Sequence, residues 1–494
     1  KFDMKLGPPA GRPLCYGPHW LLPIDKARHA GEAVAMVVAR AQDEALDAAE
    51  LVDVHYEPLP AVTHAAAALE PGAPKLWDEA PDSVLIDTTF GDVAATERAF
   101  AAAAHVVRMD FHVPRVTACP LEPRAALGLY RDGRYTLWAP SGGALRHRRD
   151  LAGALGVPPA RLRVVTGDVG GNFGTRNRAY VEYGLVLWAA RKLARPVRFT
   201  ASRAESLISD YQGRDLLIAV ELALDAAGRF LALRASNVSN VGARCVSLSP
   251  LSKGSGLITG PYRIPAATLR SRAVFTNTAP TNPYRSSGRP EITFALERLV
   301  DTAACELGID RVELRRRNLV PPEAMPYRNA VGMVYDSGTY GANLDLALRL
   351  ADWDGFPARR EAALARRRRL GIGVAAYVES SIGSPTERAQ VTVLPEGRVR
   401  AVIGTQATGQ GHETSFSQVV SELLSVPGER IDIVYGDTDI VVGGGGSHSG
   451  RSMRHAATVF SIAARELVAK GERIASHLFE ERATFRDGCF RAGD

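Results

Sequence analysis

Four times along the chain, a loop rich in glycine or serine leads into a segment with the apolar spacing of a buried helix face. Apolar residues follow the loops at i, i+3, i+4 and i+7, which is typical of an amphipathic helix. Such junctions suit anions, because free backbone N–H groups and the positive end of the helix dipole face the same point. Taken singly, each loop is also typical of a tight turn, but four together predict a large ligand that carries phosphate. The loops occupy residues 170–174, 284–288, 409–412 and 443–452.

None of these loops has the spacing of a Walker A motif, and no GxGxxG follows a predicted strand. The sequence therefore indicates neither ATP nor a dinucleotide bound in the Rossmann manner. The last loop precedes a long predicted helix from about 454 to 480. An unrelated nucleotide-binding module remains an alternative at this point.

The length of 494 residues indicates two to four domains. The opening resembles a small α/β unit, with a helix over 43–50 between two strand-like segments, and an Ala- and Pro-rich stretch at 60–84 reads as a linker. No apolar stretch reaches the roughly 18–20 residues that a membrane span needs. Strand-like segments are predicted at 34–38, 52–56, 106–113, 135–138 and 371–377.

The formal net charge is +6, and the densest basic cluster is Arg359-Arg360 followed by the run 366–369. One interpretation is a patch for an anion or a nucleic acid. We favour a solvated helix face, since no nucleic-acid-binding motif accompanies the run. The five cysteines are scattered without a CxxC pair. They argue against a disulfide framework and a zinc site, and they favour a reducing, cytoplasmic location.

Around these loops the chain resembles the large subunits of xanthine dehydrogenase, aldehyde oxidase and carbon monoxide dehydrogenase, the molybdopterin-binding subunits of molybdenum hydroxylases. Each motif alone is weak, but their order and spacing match over nearly the whole chain. The motifs are DVGGNFG (168–174), RPV (195–197), SRAE (202–205), GRD (213–215), PYRSSGRPE (283–291), ELR and RNL (313–319), GT (404–405), GQGHET (409–414) and GDT (436–438).

The resemblance implies an α+β, multi-domain fold: a partial α/β-hammerhead unit followed by two molybdenum-cofactor-binding α/β regions. We expect part of the hammerhead-like domain at 1–62 and a linker at 63–84. The first cofactor-binding domain is expected at 85–325, and the first part of the second at 326–494.

The resemblance further implies a molybdenum-molybdopterin cytosine dinucleotide cofactor, whose metal is held by the pterin dithiolene and not directly by side chains. Substrate-pocket residues would be Asn177, Ser286 and Ser287. The residues expected to bind the cofactor are Gly171, Phe173, Gly174, Arg285, Gly409, Gln410, Gly411, His412, Thr414, Ser447, His448, Ser449, Gly450, Arg451 and Ser452, with Arg451 suited to a phosphate.

By the same resemblance, the reaction is hydroxylation of an aldehyde or N-heteroaromatic carbon with water as the oxygen source. Electrons would leave through two 2Fe–2S clusters to FAD. Two clusters need about eight thiolates, so these groups are expected on partner chains: an iron–sulfur subunit and an FAD subunit in a hetero-oligomer. The expected ligands are a small-molecule substrate and the cofactor. Neither binding to nucleic acid nor a membrane span is expected.

Several positions depart from the family pattern. The catalytic glutamate lies in a GVGE-like motif that this sequence lacks, so the catalytic residue is unknown and the chain alone is expected to be inactive. Gly142 lies in a segment, 140–143, where a glutamine is usual. Ser286 replaces the copper-binding cysteine of carbon monoxide dehydrogenases, and Asn177 lies near a glutamate of purine oxidisers. Glu122 is interpreted as structural, and His448 as a hydrogen-bonding partner of the cofactor.

Two alternatives within the family follow from these departures. In one, a separate polypeptide supplies the C-terminal segment of a split subunit. In the other, the chain is a non-catalytic member that binds the cofactor without turning it over.

Overall fold

The computed structural model describes residues 5–380 and 384–493. Twelve α-helices lie within these ranges: α1 Gln42–Glu50, α2 Val93–Ala101, α3 Ala144–Ala154, α4 Val181–Leu193, α5 Arg203–Ser209, α6 Ser249–Ser255, α7 Arg289–Leu307, α8 Arg311–Asn318, α9 Tyr340–Leu350, α10 Phe356–Ala365, α11 His412–Leu424 and α12 Arg451–Phe479.

The same described ranges contain sixteen β-strands: β1 Val84–Gly91, β2 His105–Thr117, β3 Ala125–Arg131, β4 Arg134–Trp138, β5 Leu162–Val165, β6 Val197–Thr200, β7 Gln212–Leu224, β8 Phe230–Gly242, β9 Ala266–Phe275, β10 Tyr327–Arg328, β11 Val334–Tyr335, β12 Ala389–Val393, β13 Val399–Ile403, β14 Ile431–Val434, β15 Ala483–Arg486 and β16 Cys489–Ala492. The predicted strands at 106–113 and 135–138 are confirmed as β2 and β4.

The chain forms two compact units, each assembled from separate segments. The first unit falls within 1–18, 59–117 and 211–379, and the second within 19–58, 118–210 and 380–494. The α+β, multi-domain character predicted from the sequence is confirmed by this mixture of sheets and helices. The four predicted segments follow chain order, and their boundaries stay a prediction.

The core of the first unit lies between a five-stranded sheet and α7. The strand order is β1-β9-β8-β7-β2, antiparallel except for the parallel pair β8 and β9. Leu296, Leu299 and Val300 of α7 pack with sheet residues in one buried cluster. Their i, i+3, i+4 spacing is the apolar stripe that predicted this helix.

The second unit contains the two-stranded hairpin β15-β16 and two larger sheets. Of the larger sheets, one has the order β5-β4-β3-β6 and the second the order β12-β13-β14. α11 and α12 cover the second sheet through Phe416, Val420 and Phe460, which are buried together. The two sheets join where Thr166 N donates to Gly436 O at 2.8 Å and Thr438 N donates to Val164 O at 3.1 Å.

Three of the four predicted loop-to-helix junctions are confirmed. α7, α11 and α12 begin directly after Gly288, Gly411 and Gly450. α12 starts at Arg451, three residues before the predicted start at 454. The junction at 170–174 was wrong in detail, because a 3-10 turn at Thr175–Asn177 precedes α4 at Val181.

The strand predictions at 34–38, 52–56 and 371–377 are wrong. None of these segments pairs in a sheet within the described parts of the chain, although α1 confirms the helix between the first two. Apolar alternation specifies a side-chain pattern, but a strand also needs a neighbour for its backbone ladder. The stretch predicted as a linker is irregular, yet it buries Ala68 and Trp77. The described helices include none with the length and hydropathy that crossing a bilayer requires.

Candidate functional site

Two glycine-rich loops of the second unit are in backbone contact. Ser447 N donates to the carbonyl oxygen of Gly142 at 2.6 Å. A Cβ atom on Gly446 would lie 2.4 Å from that same oxygen, and one on Gly143 would lie 3.2 Å from the Gly446 Cα. Gly446 also has a φ of +73°, which favours glycine. The close approach of the two loops therefore depends on the absence of side chains.

Gly142 also touches the loop at 171–177. Its N–H donates to Arg176 O at 3.0 Å. A Cβ on Gly142 would lie 1.9 Å from Asn177 Oδ1 and 2.6 Å from Asn172 Nδ2. This geometry gives a physical reason for the departure seen in the sequence, since a glutamine here would displace both asparagines.

The loop at 171–177 is shaped by Asn172. Its Oδ1 accepts from Gly174 N at 3.2 Å and Arg176 N at 2.9 Å, and its Nδ2 donates to Asn177 Oδ1 at 3.0 Å. Phe173, at the tip, has a φ of +49° and is 48% exposed. A bulky residue held at positive φ is uncommon and points to a constrained loop. Asn177, expected in a substrate pocket, is almost buried and bonded within the loop.

A buried ionic cluster that no sequence motif indicates supports this loop. Arg124 is fully buried, pairs with Glu182 at 2.7 Å, and also forms an ion pair with Asp210. Arg176, equally buried, lies 3.2 Å from Asp210. Burial lowers the pKa of Arg124, but the nearby carboxylates outweigh it and the net pKa is raised. The ring of Tyr180 lies 4.8 Å from the Arg124 guanidinium. No local motif signals such a cluster, because its members come from distant segments.

Glu122 supports the same loop by hydrogen bonds to the backbone of Gly170. Its carboxylate accepts from Gly170 N at 2.8 Å, while its own N–H donates to Gly170 O at 3.2 Å. Arg176 donates to the Glu122 carbonyl at 3.0 Å. These contacts support the structural interpretation of Glu122.

The loops that precede α11 and α12 are joined by side-chain hydrogen bonds. Gln410 Nε2 donates to Ser447 Oγ at 2.7 Å, and its Oε1 accepts from Thr408 N at 2.5 Å. Ser452 Oγ donates to Ser447 Oγ at 3.1 Å and lies 2.7 Å from Thr405 Oγ1. The structure thus brings Gln410, Ser447 and Ser452 together, as expected for one binding site.

Arg451 faces the protein interior in this structure. It is fully buried and pairs with Glu387 at 2.6 Å. Its remaining donors go to the carbonyl oxygens of Ser384, Thr386 and Gly446. Every guanidinium nitrogen is engaged, so Arg451 positions the loop before α12, and its direct contact with a phosphate stays a prediction.

His412 lies at the first turn of α11. Its ring stacks on Phe416 with centroids 4.6 Å apart, and Nδ1 lies 3.4 Å from Ser415 Oγ. Burial lowers the pKa of His412 and therefore favours the neutral imidazole. The nearby Glu413 carboxylate acts in the opposite direction, but its effect is smaller. Nε2 is buried and has no hydrogen-bond partner among the described residues. Such an atom is a candidate contact for a ligand.

Both helices start without a side-chain cap in the described structure. The N-cap residues Gly411 and Gly450 have φ of +70° and +65°, and neither helix has a side-chain cap hydrogen bond. Ser449 also has a positive φ of 53°, and His448 Nδ1 lies 3.3 Å from Ser449 Oγ. The remaining expected contacts of these two loops are Gly409, with a φ of 110°, and Thr414, exposed in the first turn of α11.

The third set of expected residues lies in the first unit. Arg285, Ser286 and Ser287 occupy the loop before α7, where Ser286, Ser287 and Gly288 have φ of 64°, 32° and 84° in succession. Arg285 is exposed and Ser287 is buried. Arg214 Nη2 donates to Arg285 O at 2.9 Å and holds this strained turn from outside the loop.

Ser286 belongs to a small polar network of the first unit. Its hydroxyl donates to Glu379 Oε2 at 2.7 Å, and Glu379 pairs with Arg289 at 2.9 Å. Arg289 also donates to Ser286 O at 3.1 Å. Glu379 was not singled out from the sequence, since it is 93 residues from Ser286 and only folding brings it to the loop.

Chemically, the second unit offers a surface of backbone N–H groups, two helix N-termini and a neutral imidazole. These are donors for oxyanions and for heterocyclic acceptor atoms. The ionic cluster of Arg124, Arg176 and Asp210 is buried beneath that surface. The arrangement therefore suits a polar ligand with phosphate and heterocyclic groups, as the four loops predicted.

Comparison with known families gives the same indication. The family described as "Molybdopterin cofactor-binding domain" matches twice, over residues 76–319 and 346–493. The family described as "Aldehyde oxidase and xanthine dehydrogenase, a/b hammerhead domain" matches residues 13–60.

Individual proteins align over most of the chain. Subunit gamma of the 6-hydroxypseudooxynicotine dehydrogenase complex of Paenarthrobacter nicotinovorans is 34% identical, over 94% of this chain and 59% of its own length. The carbon monoxide dehydrogenase large chain of Hydrogenophaga pseudoflava is 31% identical, over 92% of this chain and 61% of its own. The chain thus spans about three fifths of the length of these relatives.

Among solved structures, quinoline 2-oxidoreductase from Pseudomonas putida 86 superposes with a TM-score of 0.89 and 33% identity, covering 96% of this chain and 62% of that one. This likeness agrees with the two cofactor-binding matches and with the ordered loops at 170–174, 409–412 and 443–452. The chain belongs to the family of molybdopterin-binding large subunits of molybdenum hydroxylases.

Proposed function

We propose that this chain forms the cofactor-binding part of a molybdenum hydroxylase that oxidises an aldehyde or N-heteroaromatic carbon with water as the oxygen source. The observation that carries the proposal is the junction of two uncapped helix N-termini in the second unit. There the Gln410 side chain bonds to Ser447, next to the unpartnered Nε2 of His412. Family membership sets aside the alternative of an unrelated nucleotide-binding module.

The residues present fit a molybdopterin cytosine dinucleotide. A pyrophosphate is matched by the first turns of α11 and α12, which have backbone donors and positive dipole ends but no side-chain caps. A heterocyclic group is matched by His412 Nε2 and by Gln410, whose side chain already links the two loops. Phe173 and Gly174 would present backbone groups from the loop at 171–177. The chemistry that the group supplies when bound is oxygen transfer coupled to uptake of two electrons.

The task of this chain's own residues is to bind and orient. Asn172 fixes the course of the loop that carries Phe173, and Gly142 leaves room for that loop. Arg451 and Glu387 hold the start of α12 in place through a buried ion pair. Because a preorganised polar surface needs no rearrangement on binding, these buried contacts favour occupancy.

An N-heteroaromatic substrate agrees with the names of two relatives, quinoline 2-oxidoreductase and the large subunit of nicotine 6-hydroxylase from Paenarthrobacter nicotinovorans, which is 30% identical. Ser286 argues against carbon monoxide, since it stands where carbon monoxide dehydrogenases carry the copper-binding cysteine, and its hydroxyl donates to Glu379 at 2.7 Å. Asn177 argues against a purine, because its amide is used within its own loop.

Electron transfer completes the proposal. An iron–sulfur chain and an FAD chain would take electrons from the reduced centre in a cytoplasmic hetero-oligomer. The five cysteines, none in a CxxC pair, support this division, because two 2Fe–2S clusters require about eight thiolates. A split subunit, with the C-terminal part on another polypeptide, remains a form of the same proposal.

A non-catalytic, cofactor-carrying member is the second candidate. It is favoured by Gly142, where the contact with Asn177 leaves no space for a side chain that reaches the ligand. Reduction of the bound centre by substrate discriminates the two: a hydroxylase is reduced by its aldehyde or N-heteroaromatic substrate, whereas a carrier is not.

The test of the cofactor is metal analysis of the natively assembled protein, together with acid hydrolysis. We expect molybdenum and CMP in equal amounts. Finding neither, in material from cells with active cofactor biosynthesis, would contradict the proposal.

Replacing Gln410 with Ala is expected to lower the molybdenum content, because the bridge to Ser447 is lost and the N–H of Thr408 loses its acceptor. Such a loss typically costs about 1–3 kcal/mol. The matched control is Gln390→Ala, an exposed glutamine on β12. Unchanged metal loading in the Gln410 variant, with the fold intact by circular dichroism, would show that this loop does not bind the cofactor.

A further inference from the structure

The turn before α7, in the first unit, is held in an uncommon backbone conformation. Ser286, Ser287 and Gly288 have φ of 64°, 32° and 84°, and residues other than glycine adopt such angles mainly where surrounding contacts hold them. A Cβ on Gly288 would lie 2.1 Å from the carbonyl oxygen of Pro250, so the turn lies directly against α6. The packing of the backbone therefore fixes the point from which the Ser286 side chain starts.

Arg289 supports this turn at two points. Its Nη1 donates to Ser286 O at 3.1 Å, and its Nε lies 2.9 Å from Glu379 Oε1. Arg289 is buried, whereas the Glu379 side chain is 44% exposed. One guanidinium thus holds both the backbone of Ser286 and the carboxylate that meets its side chain.

The Ser286 hydroxyl has one proton, and that proton is already used. Oγ donates to Glu379 Oε2 at 2.7 Å. A carboxylate paired with a guanidinium accepts hydrogen bonds and has no proton to donate in return. Among the described residues Oγ has no second partner, and Ser286 is partly exposed. Toward a ligand, the oxygen can therefore act only as an acceptor.

We propose that Glu379 determines substrate specificity by fixing the Ser286 hydroxyl as a hydrogen-bond acceptor. The substrate that meets Ser286 then carries an N–H or O–H donor, as a lactam-type or hydroxylated N-heteroaromatic ring does. An aldehyde oxygen or an unprotonated pyridine nitrogen offers only lone pairs, and opposite Oγ it would leave two acceptors with no proton between them. Glu379 acts through Ser286 and is a positioning residue. The inference rests on the proposed function, in which Ser286 lines the substrate pocket.

A neutral side chain of the same shape should reverse the hydroxyl. In the Glu379→Gln variant the amide oxygen is expected to stay toward Arg289, because a guanidinium has only donors. The amide Nε2 then faces Ser286 and donates to Oγ, which releases the hydroxyl proton for a ligand. A purely structural role for Glu379 predicts weaker binding of every ligand, whereas the proposal predicts a changed preference between donors and acceptors.

The experiment is equilibrium dialysis of the natively assembled protein, under anaerobic conditions and without an electron acceptor. The two ligands have the same shape: 2-pyridone has a donor N–H in its ring, and 2-pyranone has an acceptor oxygen at that position. We expect the native protein to bind 2-pyridone on the order of tenfold more tightly, and the Glu379→Gln variant to lose or reverse this preference. An unchanged preference in that variant would overturn the proposal.

Glu313→Gln is the matched control. Glu313 lies on α8 of the same unit, is 47% exposed and pairs with Arg317 at 2.9 Å, so its exposure and its ionic partner resemble those of Glu379. The preference for 2-pyridone should stay in this variant. Its loss there would overturn the proposal, because removal of any carboxylate would then have the same effect.

Ser286→Ala separates the inference from the proposed function. Without the hydroxyl the preference should vanish while Glu379 and Arg289 remain, so this variant also serves if Glu379→Gln fails to assemble. A preference that survives in Ser286→Ala would remove Ser286 from the pocket and overturn the inference. No preference in native protein with normal molybdenum content would overturn the inference alone. Native protein without molybdenum would contradict the proposed function, and the inference would fail with it.

Discussion

At the scale of single residues, the candidate site is built around positions that exclude side chains. Gly142, Gly143 and Gly446 let two loops meet at backbone distance, and Gly142 also borders Asn172 and Asn177. Glycine loses more conformational freedom on folding than other residues, so its use at contact positions has a structural reason. Their glycines identify the loops in the sequence, but nothing in the sequence shows which loops touch.

Gly142→Ala is expected to destabilise the protein by about 1–3 kcal/mol, as overpacking in a tight site does. The new Cβ would lie 1.9 Å from Asn177 Oδ1, so the 171–177 loop would have to shift. The control is Gly153→Ala inside α3, where a Cβ would have no neighbour within 4 Å. There we expect a gain of about 0.5–1 kcal/mol. Thermal unfolding measures both changes, and equal melting temperatures would refute the role given to Gly142.

His147 predicts a pH dependence of stability. It is fully buried on α3, and burial lowers its pKa to about 4, with Asp150 opposing and Arg146 reinforcing the shift. The unfolded state, with an ordinary pKa near 6.5, binds the proton first, so stability is lost as pH falls from about 6.5 to 4. The loss attributable to this group is on the order of 3 kcal/mol.

The measurement is denaturant unfolding at pH 7 and pH 4.5 for the native protein and for His147→Phe. The variant should lose less stability between the two pH values, because it removes a group that only the unfolded state protonates readily. The same pH dependence in both proteins would mean that His147 is not buried in its neutral form.

At the scale of elements, the contact between Arg451 and Glu387 holds a segment to the start of α12. Both side chains are essentially inaccessible, at 0% and 1% exposed. Removing one partner of a buried pair leaves an uncompensated charge and typically costs about 3–5 kcal/mol. Arg451 therefore influences the binding loop by positioning it.

Arg451→Gln is expected to lower the free energy of unfolding by that amount and to reduce molybdenum content as a consequence. The double variant Arg451→Gln with Glu387→Gln should recover part of the stability, because no unpaired charge remains. A double-mutant cycle by chemical denaturation gives the coupling. A coupling near zero would show that the pair contributes no specific attraction, and the positioning role would fail with it.

The elements also show what the sequence could predict. Helices after glycine were found because their signal is local: apolar spacing and a residue that permits positive φ, as at Gly411 and Gly450. Strands were found only where a partner exists, as for β2 with β7. The segments at 34–38 and 52–56 are strand-like in composition but pair with no strand among the described residues, and a local apolar pattern cannot report a partner. Ionic partners such as Asp210 for Arg124 were missed because they are 86 residues apart.

At the scale of the whole molecule, three features of the sequence bear on activity. It has no GVGE-like glutamate, only five scattered cysteines, and no GxGxxG after a strand. Each corresponds to a different requirement of the proposed reaction: a base, an electron exit and a final acceptor. The cofactor-binding loops and the remaining chemistry are therefore expected to be divided between this chain and other polypeptide segments.

The last prediction is that these 494 residues alone show no steady hydroxylase turnover. General-base catalysis usually contributes about 10²–10⁴ in rate, and without an electron exit a reduced centre stops after one cycle. A dye-reduction assay with an aldehyde or N-heteroaromatic substrate compares the isolated chain with the natively assembled complex. Only the complex should turn over repeatedly, and a C-terminal segment added in cis or in trans should restore a single reduction. Repeated turnover by the chain alone would place the base within it, and Glu122→Gln and His448→Gln would then show which side chain acts.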